Sequence, residues 1–149
     1  MQNKQIPNIL SIAGLDPSGG AGIVADVKTI SALGGYACAI TTARTVQNTQ
    51  KVSTICPTTP SLVSEQIEAI FSDIDIECVK IGMVAEPEMI FAIVDSLRPN
   101  EEIPIVLDPI IASSTGRKLM SRSAMTAMID KLIPVATVIT PNLFEIATC

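Results

Sequence analysis

The residues of this chain that could do chemistry fall at the ends of short apolar runs. Gly14-Leu15-Asp16-Pro17-Ser18-Gly19-Gly20-Ala21-Gly22 follows the run 8–13. Gln47-Asn48, Gly82-Met83, Asp108-Pro109 and the spaced pair Asn142 and Glu145 follow four later runs. In an open α/β sheet, ligands bind beyond the carboxyl ends of the strands, so five such coincidences point to one shared site. The glycines of 14–22 allow positive φ and close backbone approach, and a helix start behind them would offer free N–H groups. The segment lacks the Lys-Ser/Thr of a Walker loop and is not G-x-G-x-x-G. A plain strand-to-helix turn explains it equally well.

Each remaining candidate has a chemical and a structural reading. Gln47 carries one acceptor and two donors, which suits the edge of a heterocycle with a ring nitrogen beside an amino group; it could equally be a polar loop residue. Asp26, on the helix after the glycine-rich loop, reads from its position alone as a solvated surface group, the usual state of Asp. Asp108, Asn142 and Glu145 are oxygen donors of the kind that Mg²⁺ takes, one or two carboxylates at a time. Asn142 and Glu145 also fit the ends of a helix capping box. The chain has no His, so Ser-His-Asp and Cys-His catalysis and His-ligated metals are excluded within it.

The elements that must position these residues alternate in kind. Strands are expected over 8–13, 36–46, 52–56, 78–81, 105–107 and 137–139. The helix after the first loop places Ile23, Val27, Ile30 and Leu33 on one face and stops at Gly34-Gly35. Thr59 and Pro60 fit the N-cap and first turn of a helix bearing Leu62, Val63, Ile67, Ile70 and Phe71. Pro87 opens a third helix, with Met89, Ile90, Ile93, Val94 and Leu97 inward. Ser121 caps a fourth, through Met125, Met128, Ile129 and Leu132. Strand-helix alternation at this spacing predicts βαβ units, hence an α/β fold with a mainly parallel open sheet flanked by helices. Seven residues, 143–149, follow Asn142, fewer than a self-sustaining helix needs, so the chain is expected to stop inside a βα unit.

Composition agrees with a parallel sheet covered on both faces. Of the 149 residues, 48% are hydrophobic and 17% charged, with mean hydropathy +0.46, yet a charge, Pro or Gly breaks every apolar run before it could span a membrane. One Lys precedes Pro7 and no long apolar segment follows, so no secretory signal is expected. The net charge is −5 and the basic residues are scattered, which argues against a nucleic-acid surface. Cys38, Cys56 and Cys78 lie in apolar strand-like runs and form no C-x-x-C pair, as expected of reduced structural thiols in a cytoplasm.

Taken together, IAGLDPSGGAG (12–22) with Ala25-Asp26, KTISALG (28–34), VQNT (46–49), KIGM (80–83), VLDP (106–109) and ITPNLFE (139–145) resemble the hydroxymethylpyrimidine/phosphomethylpyrimidine kinases of thiamine biosynthesis, within the ribokinase-like fold. The resemblance implies that residues 1–149 are the N-terminal part of one ribokinase-like domain. It also implies ATP-dependent phosphorylation of a hydroxymethyl- or phosphomethylpyrimidine with Mg²⁺, and a cytoplasmic homodimer. It places Gly14, Asp26, Gln47, Met83 and Ile110 around the pyrimidine, with Gln47 and Asp26 pairing its ring nitrogen and amino group. Asp108, Asn142 and Glu145 fall toward phosphates and metal, with Asp108 and Glu145 as Mg²⁺ ligands.

The family's glycine-rich anion hole, its catalytic base and most of its nucleotide pocket belong to its second half. No catalytic base is therefore expected within this chain, and Cys149 does not stand where the base would. Arg44 and Ser114 depart from the family pattern, which commonly has an apolar residue and a Lys there; the first is expected to disturb packing near Gln47 and the second to remove a phosphate contact. Three other readings remain: a non-catalytic pyrimidine-binding domain, a nonfunctional fragment and, within the enzymes, a pyridoxal kinase.

Overall fold

A computed structural model describes residues 6–113 and 116–148. Six strands form one sheet: β1 (Asn8–Leu15), β2 (Tyr36–Gln47), β3 (Val52–Pro57), β4 (Cys78–Ile81), β5 (Ile105–Leu107) and β6 (Val138–Ile139), in the order β3-β2-β1-β4-β5-β6. Every neighbouring pair is parallel except β2 and β3. Only the four residues 48–51 separate those two strands, too few for the crossover a parallel pair requires. Asn48 closes this turn, its Oδ1 accepting the N–H groups of Gln50 and Lys51.

β1 is central and paired on both sides, and Leu10, Ile12 and Ala13 are fully buried within it. The chain leaves β1 toward β2, then returns after β3 to the other side of β1. Right-handed crossovers that run in opposite directions put their helices on opposite faces. α1 (Gly22–Ala32) accordingly covers the face of Ser11 and Lys80, which its Asp26 touches. α2 (Pro60–Phe71), α3 (Pro87–Leu97) and α4 (Arg122–Ala127) cover the other face. There Leu10, Ile12, Ile40, Ile81 and Leu107 meet Val63, Ile67, Ile90 and Ile93 in the main core. The helices of that layer turn stripes of period 3.6 inward, but Leu62 and Ile129 fall outside them, at 45% and 37% exposed.

The ends of the elements follow local chemistry. α1 stops as expected: Gly34 takes φ +85°, and the N–H groups of Gly34 and Gly35 satisfy the carbonyls of Ser31 and Ile30. This is the Schellman arrangement. Ser121 caps α4 by accepting the Ala124 N–H. Thr59 stands at the N-cap of α2 but its side chain makes no capping bond. Beyond α4 the helix widens into a π turn over Met128–Leu132. The last helix, α5 (Leu143–Thr148), has six residues.

Three expectations are revised. Leu33 is 82% exposed rather than part of the inward face of α1, because it stands at the C-cap where the chain turns away. Cys56 is exposed on β3, an edge strand, whereas Cys38 is buried and Cys78 half-buried. Burial pushes the Cys38 and Cys78 thiols up, away from reactivity. Arg44, on β2, is exposed, so its charge does not press on the packing near Gln47. Ser114 and Cys149 lie outside the described residues. No helix among those residues is long and apolar enough to cross a membrane.

Candidate functional site

The sheet reverses its winding between β1 and β4, and a cleft of about 600 Å³ opens there across the carboxyl ends of the strands. Its lining includes Gly14, Gln47, Met83, Asp108, Ile110, Asn142 and Glu145. Seven of the eight expected site residues therefore share one cavity. Strand order lays Gln47 (β2), Gly14 (β1) and Met83 (after β4) toward one side. Asp108 (after β5) and Asn142 with Glu145 (after β6) lie toward the other.

The first side is mostly apolar. Met83 joins Ala43, Val52 and Leu119 in a small second core, with Ile55 and Ile110 packed on it. Thr42 Oγ1 donates to the Met83 carbonyl at 2.7 Å and fixes the strand end that carries it. Thr45 Oγ1 donates to the Leu15 carbonyl at 2.9 Å and stands 3.2 Å from Gln47 Oε1. Gln47 is thus presented as the polar group on an apolar wall, an arrangement suited to orienting a flat heterocycle. Arg117 holds the neighbouring wall in place: its Nη1 donates to the Val52 and Ser53 carbonyls on the edge strand, both at 2.6 Å.

The glycine-rich loop is organised by Asp16, which position alone did not single out. Its carboxylate accepts from Ser18 N (2.8 Å), Ser18 Oγ (2.7 Å), Gly20 N (3.2 Å) and Ala21 N (3.0 Å). Burial pulls its pKa upward, but these hydrogen bonds together outweigh that and hold it below the usual value. Asp-Pro-Ser is a turn signature in which the Asp side chain bonds the backbone two residues on, so the signal was present. Gly22 has φ +56°, and a Cβ there would collide with the Gly14 carbonyl oxygen. That contact is what brings the start of α1 against the end of β1.

On the acidic side, the Asn142 N–H donates to Glu145 Oε2 at 2.8 Å, while Asn142 Oδ1 accepts from Phe144 N and Glu145 N at 2.9 and 3.0 Å. This is a capping box, and it explains how a six-residue helix can start at all. The box also fixes Glu145, only 3% exposed, in the cleft wall. Loss of hydration pushes the Asp108 carboxyl up; Lys80 opposes this, and Glu145 and then Asp26 add to it. Among the described residues no group of three or more His, Cys, Asp or Glu forms a metal cage. Two carboxylates on one wall nevertheless fit Mg²⁺, which keeps several waters and shares its shell with phosphate oxygens.

Asp26 is the exception. It does not line the cleft. Its carboxylate accepts from Lys80 Nζ at 2.9 and 3.1 Å and from Ser11 Oγ at 2.7 Å. The position-only reading as a surface group is also revised, since the side chain is only 18% exposed. α1 lies flat on the sheet, and a residue one turn into it meets strand side chains below the rim.

The family model described as Phosphomethylpyrimidine kinase matches residues 16–148. The chain is 48% identical over 138 residues to the hydroxymethylpyrimidine/phosphomethylpyrimidine kinase of Rhizobium meliloti, covering 93% of this chain and 52% of that protein. It is 44% identical over 140 residues to the Escherichia coli enzyme of the same name, covering 94% and 53%. A crystal structure of phosphomethylpyrimidine kinase from Clostridium difficile superposes with TM-score 0.86 at 43% identity, covering 95% of this chain and 61% of that one. Pyridoxal kinase from Staphylococcus aureus in complex with pyridoxal superposes with TM-score 0.82 at 32% identity, covering 95% and 51%. The chain spans about half the length of the curated relatives it matches.

Proposed function

The chain belongs to the phosphomethylpyrimidine kinase family, and from that premise we propose that its cleft serves ATP-dependent phosphorylation of 4-amino-5-hydroxymethyl-2-methylpyrimidine or its monophosphate in thiamine biosynthesis. In the first reaction the substrate hydroxymethyl oxygen attacks the γ-phosphorus, its proton passes to a base, and the bond to the ADP oxygen breaks. In the second, a phosphate oxygen of the monophosphate is the nucleophile. The observation that carries the reading is one cleft in which Gln47 stands beside Met83 and Ile110, with Asp108 and Glu145 beyond the later strands and the Asp16 carboxylate turned to the N–H groups of its own loop. Gln47 would read the ring nitrogen and amino group, Met83 and Ile110 would pack against the ring, and Gly14 would leave the Met83 thioether room to do so. Asp26 would support this floor from beneath rather than reach the amino group.

Mg²⁺, when bound, would neutralise charge on the transferring phosphoryl group. Asp108 and Glu145 would hold it, with Asn142 orienting Glu145 through the capping box. The base and the anion hole would come from the family's second half, and preorganised donors for the developing charge are the largest catalytic contribution in such reactions. Residues 1–149 would form the N-terminal part of a single ribokinase-like domain, working in the cytoplasm as a homodimer and without nucleic acid. The chain by itself would then bind pyrimidine and turn over little.

Calorimetry on the purified chain tests the reading. The hydroxymethylpyrimidine should bind, Gln47→Ala should weaken it by about tenfold or more, the size of a lost polar contact left unpaired, and pyridoxal should bind more weakly. Tighter binding of pyridoxal would instead favour a pyridoxal kinase, the activity named for the Staphylococcus aureus neighbour. Ordinary turnover by this chain with ATP and Mg²⁺ would contradict the expected inactivity.

A further inference from the structure

One cation in this fold is held where the proposed reaction does not use it. Ser11 on β1 and Lys80 on β4 are register partners, so their side chains share the α1 face. Two residues on, in the next row toward the cleft, stand Ala13, Gly82 and Asp108. Lys80 does not lie across the sheet but reaches up toward that row: its Nζ stands 2.9 Å from where a Cβ on Gly82 would be. A side chain at 82 would meet the ammonium and the Ala13 methyl together, the latter also at 2.9 Å. With no side chain there, the ammonium lies directly beside position 82, which follows Ile81, the register partner of Leu107, as Asp108 follows Leu107. Asp26 grips it with both oxygens, and fully buried Ser11 fixes Asp26 in turn.

We propose that Lys80 is a positioning residue, an ammonium pinned by Asp26 and Ser11 under the cleft floor so that its charge balances Asp108 and Glu145. Two carboxylates on one wall repel an incoming polyphosphate; a fixed cation just beneath offsets that repulsion without occupying ligand space. Lys80 Nζ reaches position 82 in the row beside Asp108, while Asp26 comes from α1 above the sheet, so the ion pair presents its positive end toward that wall. The inference rests on the reading of Asp108 and Glu145 as the phosphate and metal end, and it is independent of the pyrimidine side.

The test separates this role from simple charge pairing. Lys80→Met alone strands Asp26 and should lower the melting temperature. Asp26→Asn/Lys80→Met removes both charges and should restore most of the melt. If Lys80 only neutralises Asp26, the double variant should also bind cleft ligands as the parent does. On our proposal it binds Mn²⁺ roughly three- to tenfold more tightly and ADP in metal-free buffer more weakly by a similar factor, the scale of one screened charge at close range. Gly82→Ala, which displaces the ammonium without changing charge, should move both affinities the same way. Unchanged Mn²⁺ and ADP affinities in a double variant that melts normally would overturn the proposal while leaving the functional reading intact. If the parent chain binds no Mn²⁺, both the proposal and the assignment of the acidic side fall, whatever the pyrimidine does.

Discussion

Met83 fills the space that a side chain on Gly14 would need: a Cβ built there stands 2.6 Å from the Met83 methyl carbon and 3.4 Å from its sulfur. Strand end and thioether therefore share one wall of the cleft, and neither can change size alone. Gly14→Ala should force Met83 into another rotamer and narrow the apolar side. Because the obstructing atom is the end of a flexible side chain, the fold should lose only about 1 kcal/mol. Pyrimidine affinity should fall by tenfold or more, and Gly14→Ala/Met83→Ala should recover part of it. Calorimetry beside a denaturant melt checks the separation; a large stability loss with unchanged affinity would contradict it.

Asp16 should be the acid-sensitive point of the glycine-rich loop. Its folded pKa lies below the unfolded one, so its stabilisation is complete above about pH 4, the unfolded carboxylate range. It is lost as pH falls through the lower folded value. Asp16→Ala leaves the N–H groups of Ser18, Gly20 and Ala21 without their acceptor and should cost about 1–3 kcal/mol. The variant should also lose part of the acid limb of the stability profile, measured by melts from pH 7 to 3.

The sign is opposite at Asp108. A raised folded pKa means that ionisation is harder in the folded chain, so this group's contribution falls as pH rises from the unfolded value through the folded one. Asp108→Asn should therefore melt at a higher temperature than the parent near pH 7, while Mn²⁺ binding weakens. A lower melting temperature would show that the carboxylate serves the fold rather than the site.

Arg117 ties the wall bearing Leu119 and Gly116 to the edge strand β3 through two carbonyls. Arg117→Ala should cost about 1–2 kcal/mol and raise hydrogen exchange at residues 52–55, 111–113 and 116–119, leaving β1 and β4 protected. Uniform protection across these segments would show that the two hydrogen bonds do not hold the wall.

At the other end of the sheet, β6 pairs only with β5 among the described residues, and Val138 and Ile139 are 50% and 45% exposed. An uncovered apolar edge strand is a template for association. Sedimentation should show concentration-dependent self-association of the chain, reduced by Val138→Lys. If that variant associates as strongly as the parent, the contact lies elsewhere.

Much of this was legible in the residues because it depends on local pattern. The helix starts at Pro60 and Pro87, the stop at Gly34, the Ser121 cap and the strands 78–81 and 105–107 follow from backbone chemistry that needs no distant partner. The rims of those strands had to share an edge once the βαβ order was read. What stayed hidden depends on facing elements. Asp26 was placed at the ligand by resemblance, yet its neighbours come from two strands fifteen and fifty-four residues away. Leu33 and Cys56 carried apolar labels at positions that the fold leaves open. Lys80, between Val79 and Ile81 in an apolar strand, was a visible oddity whose partner no local rule could name.

By itself, then, the order of residues determined the alternation of strands and helices, the turns between them and the row of polar groups at the strand ends, because each is set within a few residues along the chain. Only the tertiary structure decided which of those groups meet across the cleft and which are spent beneath it. The side of a sheet on which a charge lies, and the cation that answers it, are settled by segments far apart in sequence packing against one another.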